Sequence, residues 1–288
     1  MQELNFVPLI IIGAGRSGTN MLRDIITNIP DFATWDCDEI NPIWRYGNKN
    51  ELNDEFTTEL LTPKIKDYIR KRFIQLHKQT KAKYVVEKTC ANALRLEFVH
   101  AIFPEAKFIV INRDGRDVVP SAMKRWNASF EFRYTIKKLR YVPAKDFLYY
   151  IFKFGSNRLK KKCNPAKALS FWGPLYKGIQ YDTAKLSLVE ICAKQWQKCA
   201  SNTLNQRSGI NEARILDYRY EDFVNDPINE LKKFEDFLDI KIKDIATLTA
   251  GVTDKSVGNY KKALTLEQQS ELKRTLSTTL KELDYVVD

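Results

Sequence analysis

The stretch that decides the fold is Pro8-Leu-Ile-Ile-Ile-Gly13-Ala-Gly-Arg-Ser-Gly-Thr19-Asn-Met-Leu22. Leu9–Ile12 is a continuous aliphatic run, as expected of a strand covered on both faces. After the glycine turn, Met21, Leu22, Ile25, Ile26 and Ile29 recur at helical spacing. Glycines let the backbone turn tightly and approach a ligand, and a helix N-terminus offers unpaired N–H groups and a positive dipole end. A strand–glycine loop–helix unit therefore predicts an anion site. Which anion is left open by the loop itself. It spells G-x-G-x-x-G, and Asp36 and Asp38 lie near the spacing at which a dinucleotide fold holds a ribose. It also looks like a Walker A loop ending in Thr19, except that Gly18 stands where the phosphate-binding lysine belongs.

Outward from this unit, Tyr84–Val86 and Lys107–Ile111 are further β-branched runs, each followed by a helical pattern. Alternation of this kind means a parallel sheet with helices on its faces. Leu188, Ile191, Cys192, Gln195, Trp196 and Cys199 resume helical spacing late in the chain, and Arg214–Tyr218 reads as a late strand. Helices are predicted over Pro227–Leu238, with proline at its start, and Leu264–Leu283. The expected architecture is α/β: a three-layer, P-loop-like fold with a central parallel sheet flanked by helices. One domain over 1–288 is expected, carrying an insertion around 127–187.

A second anion motif follows the run Lys107–Ile111: Asn112-Arg113-Asp-Gly-Arg-Asp117-Val-Val-Pro-Ser121. Arg113 at a strand end and Ser121 on the helix that begins near Arg116 can converge on one phosphate, with a fork of N–H donors and a hydroxyl. The plainer alternative, an Arg113–Asp117 ion pair, explains neither Ser121 nor the pairing with a glycine loop.

With both motifs in view, the chain resembles the sulfotransferases that use 3′-phosphoadenosine 5′-phosphosulfate (PAPS). G-A-G-R-S-G-T-N-M-L looks like their 5′-phosphosulfate loop, which implies cofactor contacts at Gly15, Arg16, Ser17, Gly18, Thr19 and Asn20. I-N-R-D-G-R-D-V-V-P-S looks like their 3′-phosphate motif, which implies Arg113 and Ser121 as ligands. Glu87-Lys-Thr89 resembles their E-K-T/S segment. Leu216-Asp-Tyr-Arg-Tyr-Glu-Asp-Phe-Val-Asn-Asp-Pro227 resembles the stretch whose tyrosine, Tyr220 here, lies near adenine. Ser256-Val-Gly258-Asn-Tyr-Lys261 falls in a segment similar to the late loop that folds over the cofactor. The resemblance spans residues 8 to 265 and is closer to the carbohydrate and Golgi type than to the cytosolic small-molecule type. The histidine that serves the latter as base, two residues after the lysine, is replaced by Cys90, and His77 and His100 both fall on predicted helices.

The resemblance implies in-line sulfuryl transfer to a hydroxyl acceptor, with charge stabilisation supplying most of the rate and no metal required. Arg16 and Lys88 are the expected catalytic cations. The base should be a carboxylate, and Asp38-Glu39-Ile40 matches the acidic pair followed by an aliphatic residue, which points to Glu39. Counting from the glycine loop to Pro42 instead lands on Cys37, so Asp36 and Asp38 stand as rivals.

The net charge of +11 is concentrated. Residues 131–180 hold twelve Lys or Arg against Glu131 and Asp146, interleaved with eleven aromatics. Such a field attracts anions, and aromatics among cations suit acidic sugars. A carbohydrate acceptor, polysaccharide or glycolipid, is expected, with peripheral contact at a membrane face and no nucleic acid partner. Five cysteines at no metal-ligand spacing read as thiols of a reducing compartment, which places the chain in a cytoplasm. The first eight residues lack the pattern of a signal peptide. Two rivals remain: an NAD-dependent oxidoreductase, which leaves Arg113 and Ser121 without purpose, and a polyanion-binding protein, which explains residues 131–180 alone.

Overall fold

The computed structural model describes residues 4–128, 140–143 and 172–287. Most of the basic-aromatic insertion, with Lys160–Lys162, Cys163 and Phe171, lies outside the described residues. Strands β1 (Val7–Ile12), β2 (Phe32–Ala33), β3 (Tyr84–Lys88), β4 (Lys107–Asn112) and β5 (Ile215–Arg219) form a parallel sheet in the order β2-β3-β1-β4-β5. The aliphatic runs are continuous because both faces are covered. Ile10, Ile12, Phe108 and Val110 enter one apolar layer, while Leu9, Ile11, Ile109 and Ile111 enter the other. Successive residues of a strand point to opposite faces, so each run feeds two cores at once.

Helix α1 (Thr19–Thr27) covers one face, and α2 (Pro63–Thr80), α3 (Leu96–Ile102), α4 (Gly115–Asn127) and α5 (Leu188–Gln206) cover the other. Helix α6 (Pro227–Leu238) joins α1, and α7 (Leu266–Glu282) joins the opposite layer. The expected helix over Leu264–Leu283 is shorter at its start, because Thr265 and Gln268 form a capping box and Thr265 stays outside the helix. The late strand begins one residue later than expected, at Ile215. Arg214 belongs instead to a short 3-10 turn started by the Asn211 side chain. α6 runs over the expected residues, with Asp226 accepting from the Asn229 N–H and Pro227 at the first position.

Strand β1 is central, with β3 on one side and β4 on the other, and Ile11 is in register with Lys88. The segments after β1, β3 and β4 therefore leave the same carboxyl edge side by side, where ligands bind in open parallel sheets.

Candidate active site

The glycine loop leaves β1 and enters α1 without any side-chain cap, so the first N–H groups of α1 have no side-chain acceptor. Two residues of the loop hold positive φ: Arg16 at 73° and Gly18 at 89°. At Gly18 the reason is double, since an added Cβ would also meet the Tyr220 ring at 2.5 Å. Arg16 holds the left-handed conformation as a non-glycine residue, a strain found where the surroundings fix a functional loop. The Ser17 hydroxyl is buried and has no partner among the described residues. An orphaned hydroxyl inside a loop of this shape fits an oxyanion ligand.

The second motif folds onto the first. Arg16 Nε donates to Ser121 Oγ at 2.9 Å, across 105 residues of sequence. Arg113 donates to the Arg16 carbonyl at 3.1 Å and to the Ser256 carbonyl at 2.8 Å, and its guanidinium lies 4.1 Å from the Tyr220 ring centroid. Arg113 Nε, buried, has no acceptor among the described residues. Tyr220 and Ser256 share a 2.8 Å hydroxyl–hydroxyl bond. Burial pushes the Arg16 pKa down, and the like charges of Arg125 and Arg113 push it further the same way. Like charges gathered around Arg16, beside unsatisfied donors, suit an anion. The donor set fits a nucleotide with phosphates at two positions.

The alternative of an Arg113–Asp117 ion pair gives way to a different contact. Asp117 accepts the backbone N–H groups of Gly258 (2.7 Å) and Tyr260 (2.9 Å), and so anchors the late loop over the site. Burial raises the Asp117 pKa although both N–H groups oppose the shift. Asn20 follows Thr19 in the first turn of α1, half-buried. Thr19, buried, has its hydroxyl 3.7 Å from Cys90 Sγ. Lys261 is exposed, and its ammonium lies 6.0 Å from the Tyr260 ring.

At the end of β3, Lys88 is sequestered, its side chain only 2% exposed, and its ammonium pairs with Glu39 at 3.2 Å. Glu39 also accepts the Cys90 N–H at 3.3 Å. Burial, the largest single influence, would lower the Lys88 pKa; Glu39, Cys90 and Asp38 together carry the net direction up. Burial, reinforced by Glu39, pushes the Cys90 thiol up to about 12, so it is a neutral neighbour. The rival acids face elsewhere. Asp38 pairs with Arg23 at 3.3 Å, and Asp36 contacts Arg140 at 3.4 Å and the Tyr141 hydroxyl. His77 bonds the Ala82 carbonyl, and His100 packs on Phe108 near the start of β4, away from the carboxyl edge.

Behind Glu39 lies a polar network that sequence reasoning missed. Glu87, fully buried, accepts from Thr89 and from Asn92 (2.9 Å), while Thr89 accepts the Ile40 N–H at 3.2 Å. Arg95, 0% exposed, donates to Asn92 (2.9 Å) and Asn41 (2.6 Å) and lies 3.5 Å from Asp54. Asp54 also pairs with Arg45 at 2.6 Å, and it accepts the Leu175 N–H at 3.0 Å. Burial raises the Glu87 pKa to about 7 and lowers that of Arg95 to about 10. The polar residues between 39 and 54 carried no motif, and their partners are far away in sequence.

The sulfotransferase family profile matches residues 8–152 and 166–244. The chain therefore belongs to the sulfotransferase family. The fold agrees with solved members. The sulfotransferase domain from the curacin biosynthetic pathway superposes with a TM-score of 0.57 at 16% identity over 100% of both chains. Sulfotransferase STF9 from Mycobacterium avium gives 0.56 at 14% identity, over 99% of this chain and 79% of that one. Mouse sulfotransferase SULT7A1, solved complexed with PAP, gives 0.50 at 14% identity, over 96% and 85%. No protein of curated function matches the chain in sequence. Family membership removes the NAD-dependent oxidoreductase as a reading of the glycine loop. Among the described residues, no group of three or more His, Cys, Asp or Glu could hold a metal ion, and no helix is long and apolar enough to cross a membrane.

Proposed function

We propose that this chain, acting as a single domain, transfers the sulfuryl group of PAPS to a hydroxyl of a carbohydrate, without a metal and with Glu39 as the base. The observation that carries the reading is the 2.9 Å bond from Arg16 to Ser121, which joins the two phosphate motifs in one cationic pocket. The uncapped N–H groups of α1, the Ser17 and Thr19 hydroxyls and Arg16 hold the 5′ side, with Gly15, Gly18 and Asn20 shaping it. Arg113 and Ser121 hold the 3′-phosphate. Tyr220 lines the base side, and the loop of Ser256, Gly258 and Lys261, anchored by Asp117, covers it. PAPS, when bound, supplies an activated sulfuryl group and a phosphate leaving group.

Lys88 stabilises the charge on the transferring group, and Glu39, held beside it, takes the acceptor proton. Glu39 is favoured over Asp36 and Asp38 because its partner is Lys88, at the end of β3 beside the glycine loop, whereas theirs are Tyr141 with Arg140 and Arg23. The carbohydrate acceptor is supported by the cationic and aromatic composition of residues 131–180. The free thiols of Cys37, Cys90, Cys192 and Cys199 favour a cytoplasmic setting, with peripheral contact at the inner membrane face for a glycolipid acceptor. The test is product formation from PAPS and a panel of p-nitrophenyl glycosides in EDTA, read by mass spectrometry. A sulfated glycoside that depends on Glu39 and Lys88 supports the proposal; sulfation of simple phenols alone, or activity only with added metal, contradicts it.

A further inference from the structure

The glycine at position 15 also makes room for a side chain. A Cβ built there would sit 3.1 Å from Cη2 of Trp172, and the indole ring is what it would meet. Trp172 thus lies directly against the phosphosulfate loop from outside it. It is half-buried, packed against the core and partly open.

The turn that carries Trp172 is built rigid. Gly173 holds φ at 75°, and buried Gln195 donates to the carbonyls of both Trp172 and Pro174 at 2.8 Å. The Gln195 carbonyl oxygen in turn accepts from Trp126 Nε1 at 3.4 Å. On the other side, Leu175 exchanges two hydrogen bonds with Asp54: its N–H goes to the carboxylate at 3.0 Å, and its carbonyl accepts the Asp54 N–H at 2.6 Å. Asp54 also accepts from Asn41, two residues after Glu39, at 3.3 Å. One buried carboxylate therefore registers the Trp172 turn against the segment that carries Glu39. Nothing in cofactor binding requires this second anchoring. It does serve a surface that must present an acceptor hydroxyl to the loop and to Glu39 in a fixed direction.

We propose that Trp172 is the acceptor platform of this site, taking the C–H face of a ring-bearing alcohol on its indole and so selecting cyclic over open-chain acceptors. The inference rests on the sulfotransferase reading of the loop and deepens it. An indole offers a large, rigid apolar face, and a ring stacked on it is oriented at little entropic cost. Gln195 acts as a positioning residue for the indole.

The experiment uses the full chain labelled with 5-fluorotryptophan and saturated with PAP. The Trp172 fluorine signal is assigned by its loss in Trp172→Phe. Methyl β-D-glucopyranoside, cyclohexanol and n-hexanol are then titrated as probes. The expected result is a shift of the Trp172 signal with the two ring alcohols at concentrations where n-hexanol leaves it in place. In turnover with PAPS, Trp172→Leu is expected to lose roughly tenfold in kcat/KM for the ring alcohols relative to n-hexanol, with PAP affinity unchanged and Trp172→Phe recovering part of the loss. Gln195→Leu should act in the same direction and leave Trp172 present. An equal response to all three probes, or none, overturns the proposal, as does an equal loss across all acceptors. A failure of the wild-type chain to bind PAP overturns the donor reading itself and this inference with it.

Discussion

On the donor side, each of the two anion motifs lies within one short stretch after a strand end: the loop from Gly13 to Thr19 after β1, and Arg113 to Ser121 after β4. On the acceptor side, Asp54 meets Leu175 across 121 residues, and Arg95 meets Asn41 across 54. On the donor side, Ser17 Oγ and Arg113 Nε are left without a partner among the described residues. The acceptor side pairs its buried charges with one another, Asp54 with Arg45 and Arg95. A site that must bind a fixed anion keeps cations and donors unsatisfied, whereas a wall that must hold a shape compensates its charges internally, even though Arg95 Nη1 reaches Asp54 only at ion-pair distance, 3.5 Å. Substitutions on the two sides should therefore fail in different ways.

The largest effect is expected where the two sides meet. Glu39→Gln should lower kcat by roughly 10²–10⁴ while PAP affinity by calorimetry stays as in the wild type. A small drop in turnover would move the base to Asp36 or Asp38. Next comes Asp54→Ala, which leaves the guanidinium groups of Arg45 and Arg95 buried beside an uncompensated gap. Urea unfolding should show a loss of about 3–5 kcal/mol, large enough to separate it from donor-side variants. Arg113→Gln, by contrast, should cost less than Asp54→Ala, because relief of repulsion with Arg16 offsets part of the loss of its bonds to the Arg16 and Ser256 carbonyls.

Gly18→Ala sharpens the same contrast from the donor side. With φ at 89° and the Tyr220 ring 2.5 Å from the added carbon, the loop must shift, at a cost of about 1–3 kcal/mol in stability and with weaker PAP binding. Unaltered binding would mean that the loop conformation does not matter to the ligand.

How far the sequence could be read follows the same division. The aliphatic run of β1, the helix that opens at Pro227 and the segments after β1 and β4 that carry the two motifs are local signals, and the structure has these elements where the spacing predicts. Arg16 is different: its left-handed backbone is imposed by the packed loop, and nothing in the residue type announces it. Asp117 could be read as a partner of Arg113 because they are four apart, but its acceptors are N–H groups of residues 258 and 260. Asp54, Arg95 and Arg45 belong to no motif, and only the folded chain brings them together. The contact of Trp172 with Gly15 joins segments far apart in sequence and has no local signal.

The smallest effect concerns Glu87, whose pKa burial raises from 4.5 to about 7. A carboxyl that holds its proton more tightly when folded stabilises the fold at low pH, and this contribution fades as pH rises through about 7. Glu87→Gln removes the titration, so the variant should gain stability relative to the wild type between pH 5 and pH 8, by at most about 3 kcal/mol. Parallel pH profiles would show that Thr89 and Asn92 keep the carboxylate ionised throughout.

The most direct test of the donor side is calorimetric titration of the wild-type chain and of Arg113→Gln with PAP and with ADP, without Mg²⁺. PAP is expected to bind at least roughly a hundredfold tighter than ADP in the wild type, a gap worth about 3 kcal/mol that collapses in Arg113→Gln. Equal affinity for PAP and ADP in the wild type would contradict it, because the 3′-phosphate would then have no site at Arg113 and Ser121.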